Sequence, residues 1–326
     1  MSTPSGTTRE SGPRLRPLVT IGLPTYQRTA KLRRAIESVL AQDYEPLELI
    51  ISDNASTDGT RELCEEYVSQ HAWMRYVRRS ENVGPTRNFE GLRPLARGDY
   101  FLFLGDDDWL DPGYVSACVA ALEAEPGFAL VAGRAIYHGP QGQTADPHPV
   151  QLEDRRSRRR VLTYCRQVRA NGVFYGVMPV DAERAARPLR NVQGGDMLHV
   201  MALGYLGRVR TLDDVAVHRS VDGMTVSLAN VAATLGLGWF QANLPQLAIV
   251  YWVVRDIAFD SPVYAKLGRL GRLTLAAQAG GIVFFRFVPA AVAKFARLRM
   301  KGWRRRLGRR ASAGARPARS GADGEG

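Results

Sequence analysis

Three consecutive aspartates, Asp106, Asp107 and Asp108, follow the apolar run DYFLFLG and precede Trp109. Adjacent carboxylates repel one another unless a cation sits between them. Hard oxygen ligands at the end of a strand suit Mg2+ or Mn2+ held together with substrate phosphates. A polar turn is the competing role, with Asp111 as the N-cap of a helix that starts near Pro112. A cap uses a single carboxylate, so the remaining acids call for another partner. Two further polar clusters end apolar runs upstream: Pro24-Thr25-Tyr26 closes LVTIGLP, and Asp53-Asn54 closes LELIISDN.

An α/β sheet would bring those three clusters together. The short apolar runs LVTIGLP, LELIIS, MRYVRR, DYFLFLG and FALVAGRAIYH read as strands. They alternate with the helical patterns KLRRAIESVLAQ, TRELCEEYVSQH, TRNFEGLRPLA and YVSACVAALEAEP. In the first of these, Leu32, Ala35, Ile36, Val39 and Leu40 recur at helical spacing and Thr29 is placed as N-cap. Such alternation predicts a doubly wound α/β fold, whose ligands gather at the carboxyl ends of the strands. No G-x-G-x-x-G follows the first strand, and no G-x-x-x-x-G-K-S/T occurs anywhere. A dinucleotide-binding or P-loop reading therefore lacks its main support.

The second half is patterned less clearly. PQGQTADPHPVQLEDRRSRRR reads as a long loop, with Arg155 to Arg160 either a solvated run or part of an acceptor or membrane surface. A helix near VLTYCRQVRAN, the apolar stretch GVFYGVMPV, a helix starting near Asp196 and the strand VRTLDDVAVHRS follow. From Ala232 onward two long apolar stretches are interrupted by Gln246, Arg255-Asp256, Gln278, Gly280-Gly281, Arg286 and Pro289. They read as amphipathic helices on the body or on a membrane surface rather than as spans. The polar start, residues 1–16, reads as a disordered leader without a signal peptide, and the Arg-rich end, 301–326, as a basic disordered tail.

At 326 residues, 45% of them hydrophobic, the chain can bury a sizeable core as one large domain or two modest ones. Its net charge of +12 favours anionic partners. Much of that charge sits in the tail and in Arg155 to Arg160, and no basic-aromatic module is visible, so a membrane surface is expected and nucleic acid is not. Cys64, Cys118 and Cys165 are far apart and without His at ligand spacing, so they read as buried free thiols.

Three segments in order, IGLPTYQR, LELIISDNASTDGT and ENVGPTRNFEGLRPLARGDYFLFLGDDDW, resemble the family 2 glycosyltransferases of the GT-A fold. The likeness is specific over residues 17–112 and continues more weakly to about Ser227. It implies a GT-A domain over 17–230: a Rossmann-like mixed sheet flanked by helices, with a nucleotide-sugar half (17–112) and an acceptor half (113–230). A helical extension, 231–300, follows. It further implies transfer, with inversion, from a nucleotide-diphosphate sugar to a hydroxyl of a glycan or lipid-linked acceptor. The setting it implies is cell-surface polysaccharide synthesis, in the cytoplasm and on the inner face of the membrane.

Carried over by position, Pro24, Thr25, Tyr26 and Arg28 would line the nucleotide pocket and Asp53 would hold the base or ribose. Asn82, Arg87 and Asn88 would lie near the phosphates or sugar, and Asp58 would cap a helix at Thr60. The acidic motif would bind the diphosphate and Mg2+ or Mn2+. The family's usual form is D-x-D-D before an aromatic, and Gly105 stands where its first aspartate is expected. Either Asp107 and Asp108 or Asp106 and Asp108 are then the working pair; Asp106 and Asp108 are favoured at the metal, with Asp107 beside them at the donor. Asp196, in GGDML, matches the catalytic base, against the alternative of a helix-start residue stabilised by the dipole. In VHRSVDGMTVS, His218 would touch the metal or diphosphate and Arg219 would neutralise the leaving group. A rival reading is a nucleotidyltransferase, for which GLPTYQR makes a poor triphosphate loop.

Overall fold

A computed structural model describes residues 16–186, 188–221 and 227–289. All but one residue of the leader, and the whole basic tail, lie outside it. The strands are β1 (Val19–Thr25), β2 (Leu47–Asp53), β3 (Met74–Arg78), β4 (Tyr100–Phe103), β5 (Trp109–Leu110), β6 (Phe128–Gly139), β7 (Gly142–Ala145), β8 (Met178–Pro179) and β9 (Arg208–Ser220). The helices are α1 (Thr29–Leu40), α2 (Thr60–Gln70), α3 (Pro85–Glu90), α4 (Tyr114–Ala124), α5 (Ser157–Gln167), α6 (Val180–Ala185), α7 (Gly195–Leu206), α8 (Leu228–Thr234), α9 (Trp239–Asn243), α10 (Pro245–Arg255) and α11 (268–289).

The first sheet runs β3-β2-β1-β4-β8, with the first four strands parallel and β8 antiparallel. All seven residues of β1 are buried, as a strand covered on both faces requires. The second sheet runs β5-β9-β6-β7, with β6 and β9 parallel. An antiparallel bridge from Val131 in β6 to Val177, next to β8, links the two sheets. The doubly wound reading is thus correct, and the sheet is mixed.

Four local expectations change. α1 buries Leu32, Ala35, Ile36 and Val39 as its spacing predicts, but Thr29 is its first residue and not its cap. The Thr29 amide and hydroxyl instead donate to Asp58, at Oδ2 (3.2 Å) and the carbonyl (2.8 Å). The segment TRNFEGLRPLA is not one helix: α3 stops at Glu90 and a separate 3-10 turn covers Arg93–Leu95, since Pro94 has no amide to donate. The long loop before Val161 contains β7 in a hairpin with β6, and α5 begins at Ser157.

Arg155 to Arg160 is not a uniform solvated run. Arg155, Arg156 and Arg159 are exposed, whereas Arg160 is 6% exposed. Its guanidinium donates to the carbonyls of Gly204 (2.6 Å) and Tyr205 (3.0 Å) at the end of α7, and to those of Asp154 (2.8 Å) and Arg155 (3.1 Å). A planar cation serves the unpaired carbonyls and negative dipole end of that helix together.

Beyond β9, α8 to α11 pack on the body. Arg286 of α11 donates to the Cys165 (2.9 Å) and Gln167 (3.1 Å) carbonyls at the end of α5. Leu275, Ala276, Ala279 and Val283 face inward, while Leu270 (79% exposed), Leu273, Phe284 and Phe285 (77%) face outward. Among the described residues no helix is long and apolar enough to cross a membrane. Cys64, Cys118 and Cys165 are buried and free, as expected.

Arg160→Ala strands four carbonyls in a buried setting and is expected to cost about 3 kcal/mol. Urea denaturation should show it as a lower midpoint, while Arg159→Ala, an exposed position, stays within about 0.5 kcal/mol of the parent.

Candidate active site

The carboxyl ends of β1, β2 and β4 meet around a cavity of about 350 Å3. Strand register sets this up: Thr25 pairs with Asp53, and Gly22 with Phe103, so β4 ends three residues short of β1 and its continuation brings Asp106 to Thr25. Pro24, Thr25, Tyr26 and Arg28 line it from β1, and Gly105, Asp106 and Asp107 from β4.

Arg28 holds the acidic centre. One guanidinium nitrogen lies 3.2 Å from Asp106 Oδ1 and 2.6 Å from Asp107 Oδ2. Asp106 Oδ2 accepts from the Thr25 hydroxyl (2.9 Å) and the Tyr26 amide (3.3 Å). Burial pushes the Asp106 carboxyl up to about 6; Arg28 opposes that shift and Asp107 adds to it. Asp107 Oδ1, by contrast, has no hydrogen-bond partner among the described residues.

Asp108 does not line the cavity. Its Oδ1 accepts from the Ser220 amide (3.1 Å), and its Oδ2 faces Arg219 Nε at 3.4 Å. Burial raises this carboxyl too, with Arg219 opposing. Of the favoured Asp106–Asp108 pair, Asp106 faces the cavity, together with Asp107, while Asp108 fastens β9 to the acidic turn. Gly105, the departure from the family pattern, lies against the two carboxylates that follow it. A Cβ there would stand 2.9 Å from Asp108 Oδ2 and 3.3 Å from Asp107 Oδ1, so a side chain at this position would have to displace the Asp108 carboxylate from its place beside Arg219.

From the second half, Arg219 and Ser220 of β9 and Tyr175 reach the same cavity, with Thr234 of α8. Arg219 donates to the Tyr175 hydroxyl (3.2 Å), and its guanidinium carbon lies 4.5 Å from that ring's centre. Burial disfavours the Arg219 cation, but Tyr175 and Asp108 outweigh it and raise its pKa. Sequence patterning gave no sign of Tyr175, which sits in a run of apolar residues, nor of Thr234.

Other expected residues are placed differently. Asp53 is fully buried and off the cavity: Oδ1 accepts from the Ser56 amide (2.9 Å), and Oδ2 accepts from the Tyr76 hydroxyl (2.7 Å) beside Arg78. Its neighbour Asn54 lines the cavity instead. Asn54 Nδ2 donates to Asn82 Oδ1 (2.7 Å), its Oδ1 accepts from the Val83 amide (2.9 Å), and Asn82 lines the cavity as expected. Asn88 lines it too, while donating to the Ser52 (2.8 Å) and Thr25 (3.4 Å) carbonyls and so tying β2 to β1. Arg87 is exposed on α3 and does not line the cavity. Asp58 is structural: it accepts from the Thr60 hydroxyl and joins the starts of α1 and α2.

His218, expected at the metal or diphosphate, does not line the cavity. Its Nδ1 lies 2.9 Å from His138 Nε2, and its Nε2 lies 2.8 Å from Asp111 Oδ1. Its ring stacks on Trp109, its partner across β5 and β9, at 5.0 Å. The Arg34 guanidinium carbon lies 3.5 Å from the Trp109 ring centre. Asp111 is consequently not a helix cap; its Oδ2 accepts from the Ala216 amide (2.8 Å).

Asp196 is exposed in the first turn of α7, and Oδ2 accepts from Asn171 Nδ2 (3.0 Å). It does not line the cavity but is near enough to add to the upward push on the Tyr175 hydroxyl, which burial dominates. Among the described residues no three His, Cys, Asp or Glu side chains form a ready-made metal cage.

Residues 20–176 match the family model described as Glycosyl transferase family 2. This domain belongs to that family. The family 2 domain is similar to abequosyltransferase RfbV of Salmonella typhimurium, at 41% identity over 96 residues, 28% of this chain and 29% of that protein. It is also similar to a GalNAc(5)-diNAcBac-PP-undecaprenol beta-1,3-glucosyltransferase of Campylobacter jejuni, at 31% over 121 residues, 37% of this chain and 38% of that protein. The chain therefore spans well under half the length of these curated relatives. Its fold is shared with S. aureus TarS 1-349 in complex with UDP-GlcNAc (TM-score 0.52, 14% identity, 80% of this chain and 81% of that one). It is shared equally with the mannosyltransferase PcManGT of Pyrobaculum calidifontis in complex with GDP-Man and Mn2+ (TM-score 0.52, 19% identity, 88% and 82%). These likenesses give the family 2 domain the GT-A fold.

The native pKa of Asp106 lies above that of an unfolded aspartate, so the native state takes up the proton first. Its contribution to stability is full below about pH 4 and is lost as pH rises through about 6, and Asp108 acts in the same direction. Melting temperatures taken from about pH 4.5 to about 7.5 should contain a falling component that Asp106→Asn reduces.

Proposed function

We propose that this chain is an inverting glycosyltransferase that moves a sugar from a nucleotide-diphosphate donor to a hydroxyl of a glycan or lipid-linked acceptor, in cell-surface polysaccharide synthesis. The observation that carries the reading is the acidic turn itself: Asp106 and Asp107 at the mouth of a strand-end cavity, opposite Arg219. TarS with UDP-GlcNAc and PcManGT with GDP-Man lend support through the shared fold.

The donor set fits Mg2+ or Mn2+. Asp107 offers a carboxylate oxygen without a protein partner, and Asp106 is hard, buried and beside it. Three carboxylates face two guanidinium groups, Arg28 and Arg219. The centre is thus one negative charge in excess when all are ionised, and a diphosphate adds more. A bound divalent ion would supply the charge that makes diphosphate a good leaving group. Asp106 and Asp107 would hold it, in place of the expected Asp106 and Asp108.

The chain's own residues do the rest. Asn54 and Asn82 shape the nucleotide end of the cavity, and Tyr26 and Arg28 close its near wall. Arg219, buried against Tyr175 and fixed by Asp108, places a permanent cation where negative charge develops on the departing diphosphate. Asp196 takes the proton of the acceptor hydroxyl. The acceptor oxygen bonds to the anomeric carbon from the opposite face, the bond from that carbon to the phosphate oxygen breaks, and the nucleoside diphosphate leaves. A single displacement inverts the configuration.

The C-terminal helices are proposed to rest on the inner face of the cytoplasmic membrane. Leu270, Leu273, Phe284 and Phe285 face outward, and every charged residue from 261 to 322 is Lys or Arg. Apolar side chains flanked by cations suit an anionic bilayer.

A panel of nucleotide-sugars with Mn2+, read by thermal shift and by release of nucleoside diphosphate, tests the activity. One donor should stabilise the protein, with the effect lost on chelation. Asp107→Asn should imitate chelation and His218→Asn should not. Asp196→Asn should lower turnover by about 10^2–10^4-fold with donor affinity kept; release of pyrophosphate from a triphosphate instead would sink the reading. For the membrane, vesicle flotation should show binding to anionic and not neutral lipid at low salt. Leu270→Glu with Phe285→Glu should remove it, and a protein indifferent to anionic vesicles would refute the docking.

A further inference from the structure

A surface carboxylate in the first turn of a helix is ordinarily free to rotate, yet Asp196 is held. Asn171 Nδ2 donates to its Oδ2 at 3.0 Å, and Asn171 Oδ1 accepts from the Tyr164 hydroxyl at 2.8 Å. Tyr164 is fully buried on α5. The direction of this chain is set by chemistry: a carboxylate can only accept, so the amide must turn its NH2 toward Asp196 and its oxygen toward the phenol. With Oδ2 occupied, Asp196 Oδ1 is left with no hydrogen-bond partner among the described residues.

Asn171 is itself fixed. It precedes the 3-10 turn Gly172–Tyr175, and its carbonyl accepts from the Phe174 amide (3.1 Å). The turn is pressed against β6 so closely that a Cβ on Gly172 would stand 2.3 Å from the Ala135 Cβ. Tyr175, at the turn's far end, lines the donor cavity and accepts from Arg219. One rigid turn therefore touches the leaving-group side of the cavity at one end and Asp196 at the other.

We propose that Asn171, backed by Tyr164, is a positioning residue that clamps Oδ2 of Asp196 and presents Oδ1 to the acceptor hydroxyl. This rests on Asp196 being the base. Fixing the carboxylate's rotation removes conformers that cannot reach the proton, which is an effect on turnover and not on donor binding. An exposed amide–carboxylate bond adds little to stability, so the two roles separate experimentally.

The probe is the nucleotide-sugar giving the largest thermal shift, with water as acceptor. Water's oxygen bonds to the anomeric carbon, its proton goes to Asp196, and the nucleoside diphosphate leaves. Asn171→Ala, and the isosteric Asn171→Asp, which can still accept from the Tyr164 hydroxyl, should both lower kcat by about tenfold or more with donor KM within about twofold. Melting temperature should change little in Asn171→Asp and fall in Asn171→Ala, which leaves the buried Tyr164 hydroxyl unpaired. Tyr164→Phe should lower kcat in the same direction by less. If Asp196→Asn is inactive while both Asn171 variants turn over normally, the positioning role is wrong and the base stands. A parallel loss of kcat, donor affinity and melting temperature in both Asn171 variants also overturns it, as a purely structural role. If Asp196→Asn turns over normally, the base reading fails, and this inference fails with it.

Discussion

Burial of like charge is the constraint around which this molecule is arranged. Three neighbouring carboxylates sit at the end of β4, two of them almost out of water. Left alone they would take up protons or force the turn open. Two guanidinium groups oppose this, one from the end of a strand of the first sheet and one from a strand of the second. Arg28 leaves the end of β1 to bridge Asp106 and Asp107, while Arg219 leaves β9 to face Asp108. The first sheet and the second are thereby joined through charge at the point where they meet around the cavity.

Helix α7, which carries Asp196 in its first turn, is tied by a second set of bonds. Arg160 closes its carboxyl end, and the segment before its start is secured on both sides. The Leu189 amide donates to Glu90 Oε1, the Thr86 hydroxyl donates to Asn191, and Asn191 donates to the Leu235 carbonyl. Arg190 pairs with Asp256 and Asp260 beyond α10. The C-terminal extension is thus part of the frame that sets the distance between Asp196 and the cavity.

Strand and helix periodicity made most of the first sheet legible, because β1, β2 and β4 are buried on both faces and read as unbroken apolar runs. The site was legible where function needs a charged group in a turn, as at Arg28 and Asp106. It was obscured where position in a motif does not reveal which way a side chain points. Asp53 and Asn54 are adjacent, and only the turn after β2 decides that the amide faces the cavity and the acid faces Ser56 and Tyr76. The same alternation along β9 sends His218 to Trp109 and Asp111 while Arg219 goes to the cavity. Arg160 was hidden because composition cannot distinguish a cation in water from one seated on carbonyls.

Neutralising the acidic turn from within has a consequence for the order of events in the protein's life. Where ligating carboxylates depend on the metal to coexist, apo-protein is unfolded and loading is a step of folding. Here Arg28 and Arg219 already stand in the field of Asp106, Asp107 and Asp108. The scaffold can be completed, and the turn can keep its shape, without a cation between its carboxylates.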